Sequence, residues 1–269
     1  MQAKAEIGII GGSGFYALLE KPETMTGDNK YGKPSTPLAI GKLGSKNIAF
    51  ITRHGAEHTI PPHKVPYRAN IEALAGAGVK RIIATGACGS LQKDYAPGDF
   101  VFFDQFVNMT QGRQDTFFDQ DRVVHVGMAH PYCPELRKLA IKTAKEMGIK
   151  YHESGTIVVI NGPRFSTKAE SRFFSSQGFH VVNMTQYPEA ALARERELCY
   201  MCIGIATDYD AGLEGAPGVK PVDAQEVLKV FGRSMDKVKE LITRMVPEIP
   251  QKRSCDCGDA LKNAAGSSK

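Results

Sequence analysis

Seven short apolar runs recur along the 269-residue chain, and most are continuously apolar where a half-buried strand would alternate. They cover residues 6–10, 47–52, 81–85, 99–106, 156–160, 180–184 and 198–207. Strands apolar on both faces must be covered on both faces. Helical patterns lie between them, at 66–78, 134–148, 166–178, 187–198 and 222–246. Pro134 opens one of these and Gly148 closes it, as helix punctuation requires. Polar Ser166 leads another in a capping position. This alternation predicts an α/β fold: a single domain with a central mixed or parallel β-sheet flanked by helices.

Length suits one large domain, which buries about 70–75% of its unfolded surface and needs no metal or disulfide merely to fold. Residues 1–248 read as that domain and 249–269 as an appended C-terminal tail of different composition, expected to be disordered at its extreme end. Lys and Arg total 34 against 29 Asp and Glu, a net charge of +5 spread along the chain. That excess is too small to argue for nucleic acid, but it suits an anionic substrate. No segment reaches the roughly 18 apolar residues of a membrane span, and the N-terminus lacks a cleavage pattern, so a cytoplasmic protein is expected. Six cysteines are too few for a disulfide scaffold.

Small or basic residues follow several of the buried runs. Gly11, Gly12, Ser13 and Gly14 follow the first, where glycine lets backbone approach a ligand and a serine hydroxyl can donate to an anion. They do not form G-x-G-x-x-G, so a dinucleotide site is poorly supported. Residues 27–33 imitate a phosphate-binding loop, but Pro34 stands where Ser or Thr is required. Arg53 and His54 follow the second run, a pairing that suits an anion. His54 and His58 are four apart, yet Gly55 and Pro61-Pro62 break any helix, so no metal site is assigned. Residues 85–90 read as a small-residue loop at another strand end, where α/β sheets bind ligands. Asn183, Met184 and Thr185 end a further strand. Asp208 and Asp210, two apart, would face one side of an extended chain and could exchange a proton or hydrogen-bond a base.

Six segments in order, GIIGGSGF, TRHG-x-x-H-T-I-x-P, ATGACGSL, NGPRFST-x-AE, VVNMT-x-x-PE and ATDYD, closely resemble the methylthioadenosine phosphorylase family, of the trimeric purine nucleoside phosphorylase type. The resemblance spans residues 6–246. It implies phosphorolysis of methylthioadenosine to adenine and 5-methylthioribose 1-phosphate, with inorganic phosphate as co-substrate and no cofactor. The alternative is a nucleoside phosphorylase of broader or 6-oxopurine preference, acting on inosine, guanosine or methylthioinosine. By the same resemblance, Ser13, Arg53, His54, Gly86, Ala87 and Thr185 bind phosphate. Phe165, Ser166, Met184, Asp208, Asp210, His125, Ala224, Val227 and Leu228 meet the nucleoside. Asp208 supplies the proton at purine N7, which calls for a raised pKa. Asp at 208 and 210 favours a 6-amino purine. A homotrimer or hexamer is implied, with His125 reaching a neighbouring copy's site and with no nucleic acid or membrane partner. Residues 211–220 are glycine-rich and suit a mobile gate over the base.

Cys199 and Cys202 are three apart in an expected strand and face opposite sides. Cys255 and Cys257 form a C-x-C in the tail. Archaeal members of the resembling family carry such a tail with disulfides, which implies that Cys133 bonds to Cys199 or Cys202 and that the tail folds back. Free thiols are the competing expectation.

Overall fold

The computed structural model describes residues 4–120 and 122–264, without the Ser13 side chain. Its spine is a run of parallel strands: β4 (Lys46–Thr52), β1 (Ile7–Gly11), β5 (Arg81–Ser90) and β11 (Cys199–Tyr209). On one side β2 (Glu20–Met25) and β3 (Leu38–Leu43) extend the sheet antiparallel from β4. On the other, β10 (Val181–Asn183), β9 (Thr156–Ile160) and β7 (Gln105–Met109) continue from the C-terminal end of β5. Short β6 (Phe100–Phe102) and β8 (Tyr151–His152) branch off β11. The sheet is therefore mixed, as expected.

Helices cover both faces, and the alternation along β11 shows why they must. Cys199, Met201, Ile203 and Ile205 enter one core with α2 (Pro134–Glu146) and α5 (Ala224–Met245). Tyr200 and Cys202 enter the opposite core with α1 (Tyr67–Gly76) and α4 (Gln186–Glu195). All six of these residues are essentially inaccessible to solvent, so this part of β11 needs apolar side chains on both faces. Among the described residues no helix is long and apolar enough to cross a membrane.

Three local differences from the sequence expectation bear on function. The run at 99–106 is two strands, because β6 pairs with β11 while β7 pairs with β9. Residues 85–90, read as a loop, are the second half of β5, held in the sheet by β11 along their whole length. α3 (Lys168–Ser176) is capped by Thr167 and not by Ser166. The Thr167 hydroxyl accepts from the Glu170 N–H while the Glu170 carboxylate accepts from the Thr167 N–H. That leaves Ser166 outside the helix and free for another partner.

The tail folds back. Residues 255–264 pack against the body, with Cys257 and Ala264 buried and the His125 N–H donating to the Ala264 carbonyl. The extreme end expected to be disordered, 265–269, lies outside the described residues.

Candidate active site

The sheet opens at one place. β5 pairs with β1 only as far as Ala84, and with β10 only from Gly89. Between those ladders, Thr85 to Cys88 keep β11 on one edge and, among the described residues, meet no strand on the other. A cavity of about 550 Å³ lies along this gap. Thr85 turns its carbonyl to the open edge, where Arg53 takes it, and the period of two in a strand aims the Ala87 N–H the same way. Gly86 and Ala87 thus line the cavity as backbone.

Arg53 leaves the end of β4 into the core, only 3% exposed. Its Nε donates to Glu189 Oε2 at 2.7 Å, Nη2 to Glu189 Oε1 at 2.6 Å and Nη1 to the Thr85 carbonyl at 2.8 Å. Burial alone would weaken its charge, but the Glu189 carboxylate outweighs that and holds the guanidinium above its ordinary pKa. Three of five donors are committed, leaving one on each terminal nitrogen for an anion. Tyr200 Oη braces Glu189 at 2.7 Å. Sequence reasoning did not single out Glu189. It lay in the P-E of a quoted segment, but its partner is 136 residues away.

His54 is held by the backbone. Its Nδ1 donates to the Ile60 carbonyl at 2.8 Å, and burial and the Arg53 charge press its pKa down to about 4. At neutral pH the ring is neutral and Nε2 offers a lone pair, not a proton.

The carboxylates sit further along the same gap. A bulge between Ala206 and Asp208 re-registers β11 so that Asp208 lies opposite Gly89. A Cβ on Gly89 would come within 3.1 Å of Asp208 Oδ2 and 3.4 Å of the Asp210 Cβ, so glycine makes room for both side chains. Burial raises Asp208 to about 6, opposed by the Thr207 hydroxyl donating to its Oδ1 at 2.7 Å and aided by the Asp210 charge. Asp210 is raised by burial too, against the nearby Ser171 and Ser166 hydroxyls. Among the described residues no hydrogen bond reaches its Oδ2.

Among the described residues, Thr52 Oγ1, Thr85 Oγ1, Ser166 Oγ and Asp210 Oδ2 are buried without hydrogen-bond partners, and all four residues line this cavity. The first two lie beside Arg53 and were not expected from sequence; the last two lie at the carboxylate end. Unsatisfied buried polar atoms are costly, and their concentration in one cavity marks where a polar ligand satisfies them.

The structure brings together Arg53, His54, Gly86, Ala87, Thr185, Phe165, Ser166, Met184, Asp208, Asp210, Val227 and Leu228, and adds Phe231. Arg113, also unforeseen, ties the walls by donating to the Met184, Asn161 and Tyr187 carbonyls. Gly11 and Gly12 line the cavity, but the Ser13 side chain lies outside the described residues. Two expected residues are absent from the lining. Ala224 stands at the start of α5, a turn short of Val227, and His125 pairs with the tail at Ala264. The expected gate is partly pinned: Ala211–Leu213 forms a short helical turn wedged on α3, where a Cβ on Gly212 would lie 2.6 Å from Ser171 Oγ. Lys168 adds an ion pair to Glu214 at 3.0 Å.

The chain belongs to the phosphorylase superfamily, whose family model matches residues 6–247. Within it, the chain is 51% identical over 257 residues to the S-methyl-5′-thioadenosine phosphorylase of Pyrococcus furiosus, covering 96% of this chain and 98% of that one. It is 48% identical over 267 residues to the enzyme of the same name from Saccharolobus solfataricus, covering 97% of each. The structure of methylthioadenosine phosphorylase from Schistosoma mansoni in complex with adenine superposes with a TM-score of 0.89 at 37% identity, covering 96% of both chains.

Proposed function

We propose that this protein is a methylthioadenosine phosphorylase that cleaves its nucleoside with inorganic phosphate, giving adenine and 5-methylthioribose 1-phosphate. The observation that carries this is the polarity of the gap in the sheet. Arg53 is anchored at Thr85 and Asp208 sits opposite Gly89, four residues along β5. At roughly 3.3 Å per residue that is about 13 Å. An anion at one end and a purine at the other leave room for a ribose between them.

Phosphate binds against the free Arg53 donors, the Ala87 N–H and the Thr52, Thr85 and Thr185 hydroxyls. His54 takes a hydrogen bond from a phosphate O–H through Nε2 and so orients a protonated oxygen away from the sugar. The phosphate attacks C1′ as the glycosidic bond lengthens, and its charge stabilises the cationic sugar. Negative charge develops on the departing purine. Asp208, poised near pH 6, shares its proton with N7, while Asp210 Oδ2 accepts from the 6-amino group. Leu228, Val227 and Phe231 on α5 form the apolar wall that meets the methylthio group. A homo-oligomer, trimer or hexamer, would bring His125 of one copy to the 5′ end of another. The large apolar side chains of Val123 (68% exposed) and Leu228 (61% exposed) suit such a contact.

The test is phosphate-dependent release of base from methylthioadenosine, adenosine and inosine in parallel. Preference for methylthioadenosine is expected. Preference for inosine would leave the phosphate end standing and overturn the reading of Asp208 and Asp210.

A further inference from the structure

Far from the cavity, at the N-terminal end of β11, four cysteines converge. Cys133 precedes α2, Cys199 opens β11, and Cys255 and Cys257 come from the folded-back tail. Their sulfurs all lie within 4.8 Å of one another, Cys133 to Cys255 at 3.7 Å and Cys199 to Cys255 at 3.4 Å. All four thiols are free. Cys202 faces the opposite core and takes no part, so of the two expected partners of Cys133 only Cys199 stands beside it, and the two are unbonded.

We propose that these four cysteines form a structural tetrathiolate site for a soft divalent cation, zinc being the best match. The geometry distinguishes this from a pair of disulfides. A tetrahedral ion with bonds of about 2.3 Å holds its four sulfurs about 3.8 Å apart in every direction. Disulfides would draw two pairs to about 2.05 Å and give no reason for each sulfur to sit near three others. The sulfurs here are mutually close and bonded to none, as a shared ion requires. On binding, the thiols release their protons to water and no electrons move.

The surroundings hold the ligands in place. Ser254 donates to Glu135 Oε2 through both its N–H (2.7 Å) and its hydroxyl (2.6 Å), fixing the residue before Cys255. Arg253 Nη1 donates to the Glu197 carbonyl at 2.7 Å, and the Leu261 N–H donates to Glu197 Oε1 at 3.2 Å. The Arg253 guanidinium lies close over Gly258, where a Cβ would come within 2.3 Å of it. Arg194 approaches Asp256 between the two tail ligands at 3.9 Å. A zinc ion with four thiolates carries two negative charges, and Arg194 and Arg253 stand where they offset them. Cys133, Cys199 and Cys257 are buried within an apolar core, which keeps water from the site.

The test uses the full chain, reduced and stripped of metal, titrated with Co²⁺ and then Zn²⁺. The expected result is stoichiometric Co²⁺ uptake with thiolate-to-cobalt charge-transfer bands and the intense visible bands of tetrahedral sulfur ligation, bleached by Zn²⁺. Cys257→Ser and Cys255→Ser should lose those bands, and Cys202→Ala should keep them. Should a serine variant fail to fold, native mass spectrometry of the wild-type protein purified with reductant reads zinc directly, with one ion per chain expected. Absence of Co²⁺ bands in the reduced wild type, bands that persist in Cys257→Ser, or wild-type protein carrying disulfides and no zinc would each overturn the proposal. None of these readouts depends on turnover, so they stand apart from the proposed phosphorolysis.

Discussion

β11 carries different chemistry at its two ends. At its C-terminal end a bulge and one facing glycine on the paired strand β5 suffice to place Asp208 and Asp210. At its N-terminal end Cys199 gains its neighbours from α2 and from a tail more than fifty residues on. The first end is built within the sheet, in register with β5, and carries unsatisfied polar atoms. The second is assembled from distant segments and buried in an apolar core. Reactive groups are left wanting partners where a ligand enters; structural groups find theirs within the fold.

The largest expected effect tests whether the anion end depends on its buried support. Glu189→Ala strips the partner from a buried guanidinium and should cost about 3–5 kcal/mol of stability, read by chemical denaturation. A near-neutral result would mean that Arg53 is satisfied by other groups.

Next in size is the carboxylate end. Asp208→Asn should lower turnover on methylthioadenosine by on the order of 10²-fold. The same change should stabilise the protein at neutral pH. A carboxyl raised from 3.8 to about 6 holds its proton more tightly when folded, so stability falls as pH rises between those values and stays lower above them. Removing it should recover on the order of 2–3 kcal/mol above pH 6 and nothing below about pH 4. Loss of activity without that gain would point to disruption in place of lost proton transfer.

The pH profile sharpens the contrast further. kcat/KM should fall above about pH 6 as Asp208 ionises, and this limb should vanish in Asp208→Asn. His54 sits in the opposite sense. Pressed down to about 4, it contributes stability that is present at neutral pH and lost as pH falls from about 6.5 through 4. A smaller effect is expected at the apolar wall. Leu228→Ser should reduce selectivity for methylthioadenosine over adenosine by roughly 10-fold, the scale for losing apolar contact in a pocket.

The apolar runs foretold β1, β4, β9 and β11, and proline and glycine marked the ends of α2, because burial on both faces imposes its own composition. β2 escaped because Glu20–Met25 is exposed and polar and contains Pro22, so it carries no strand pattern. β8 is two residues long, held only by β6. At the site, every strand-end segment was legible, since small and charged residues interrupt an apolar run there. The Arg53–Glu189 pair was not, because ion pairing across 136 residues leaves no local trace. His54 was recognised, but which of its nitrogens is free depends on the Ile60 carbonyl, a matter of backbone path. The C-x-C was conspicuous, yet its two partners are set by where α2 and β11 begin in space.

The central claim is that one cavity joins an anion to a purine through the sugar. Its most direct test is methylthioadenosine cleavage with and without inorganic phosphate, following the phosphorus product by ³¹P resonance. A saturable phosphate requirement and a sugar 1-phosphate formed in step with adenine are expected. Adenine release at the same rate without phosphate, yielding free methylthioribose, would contradict it.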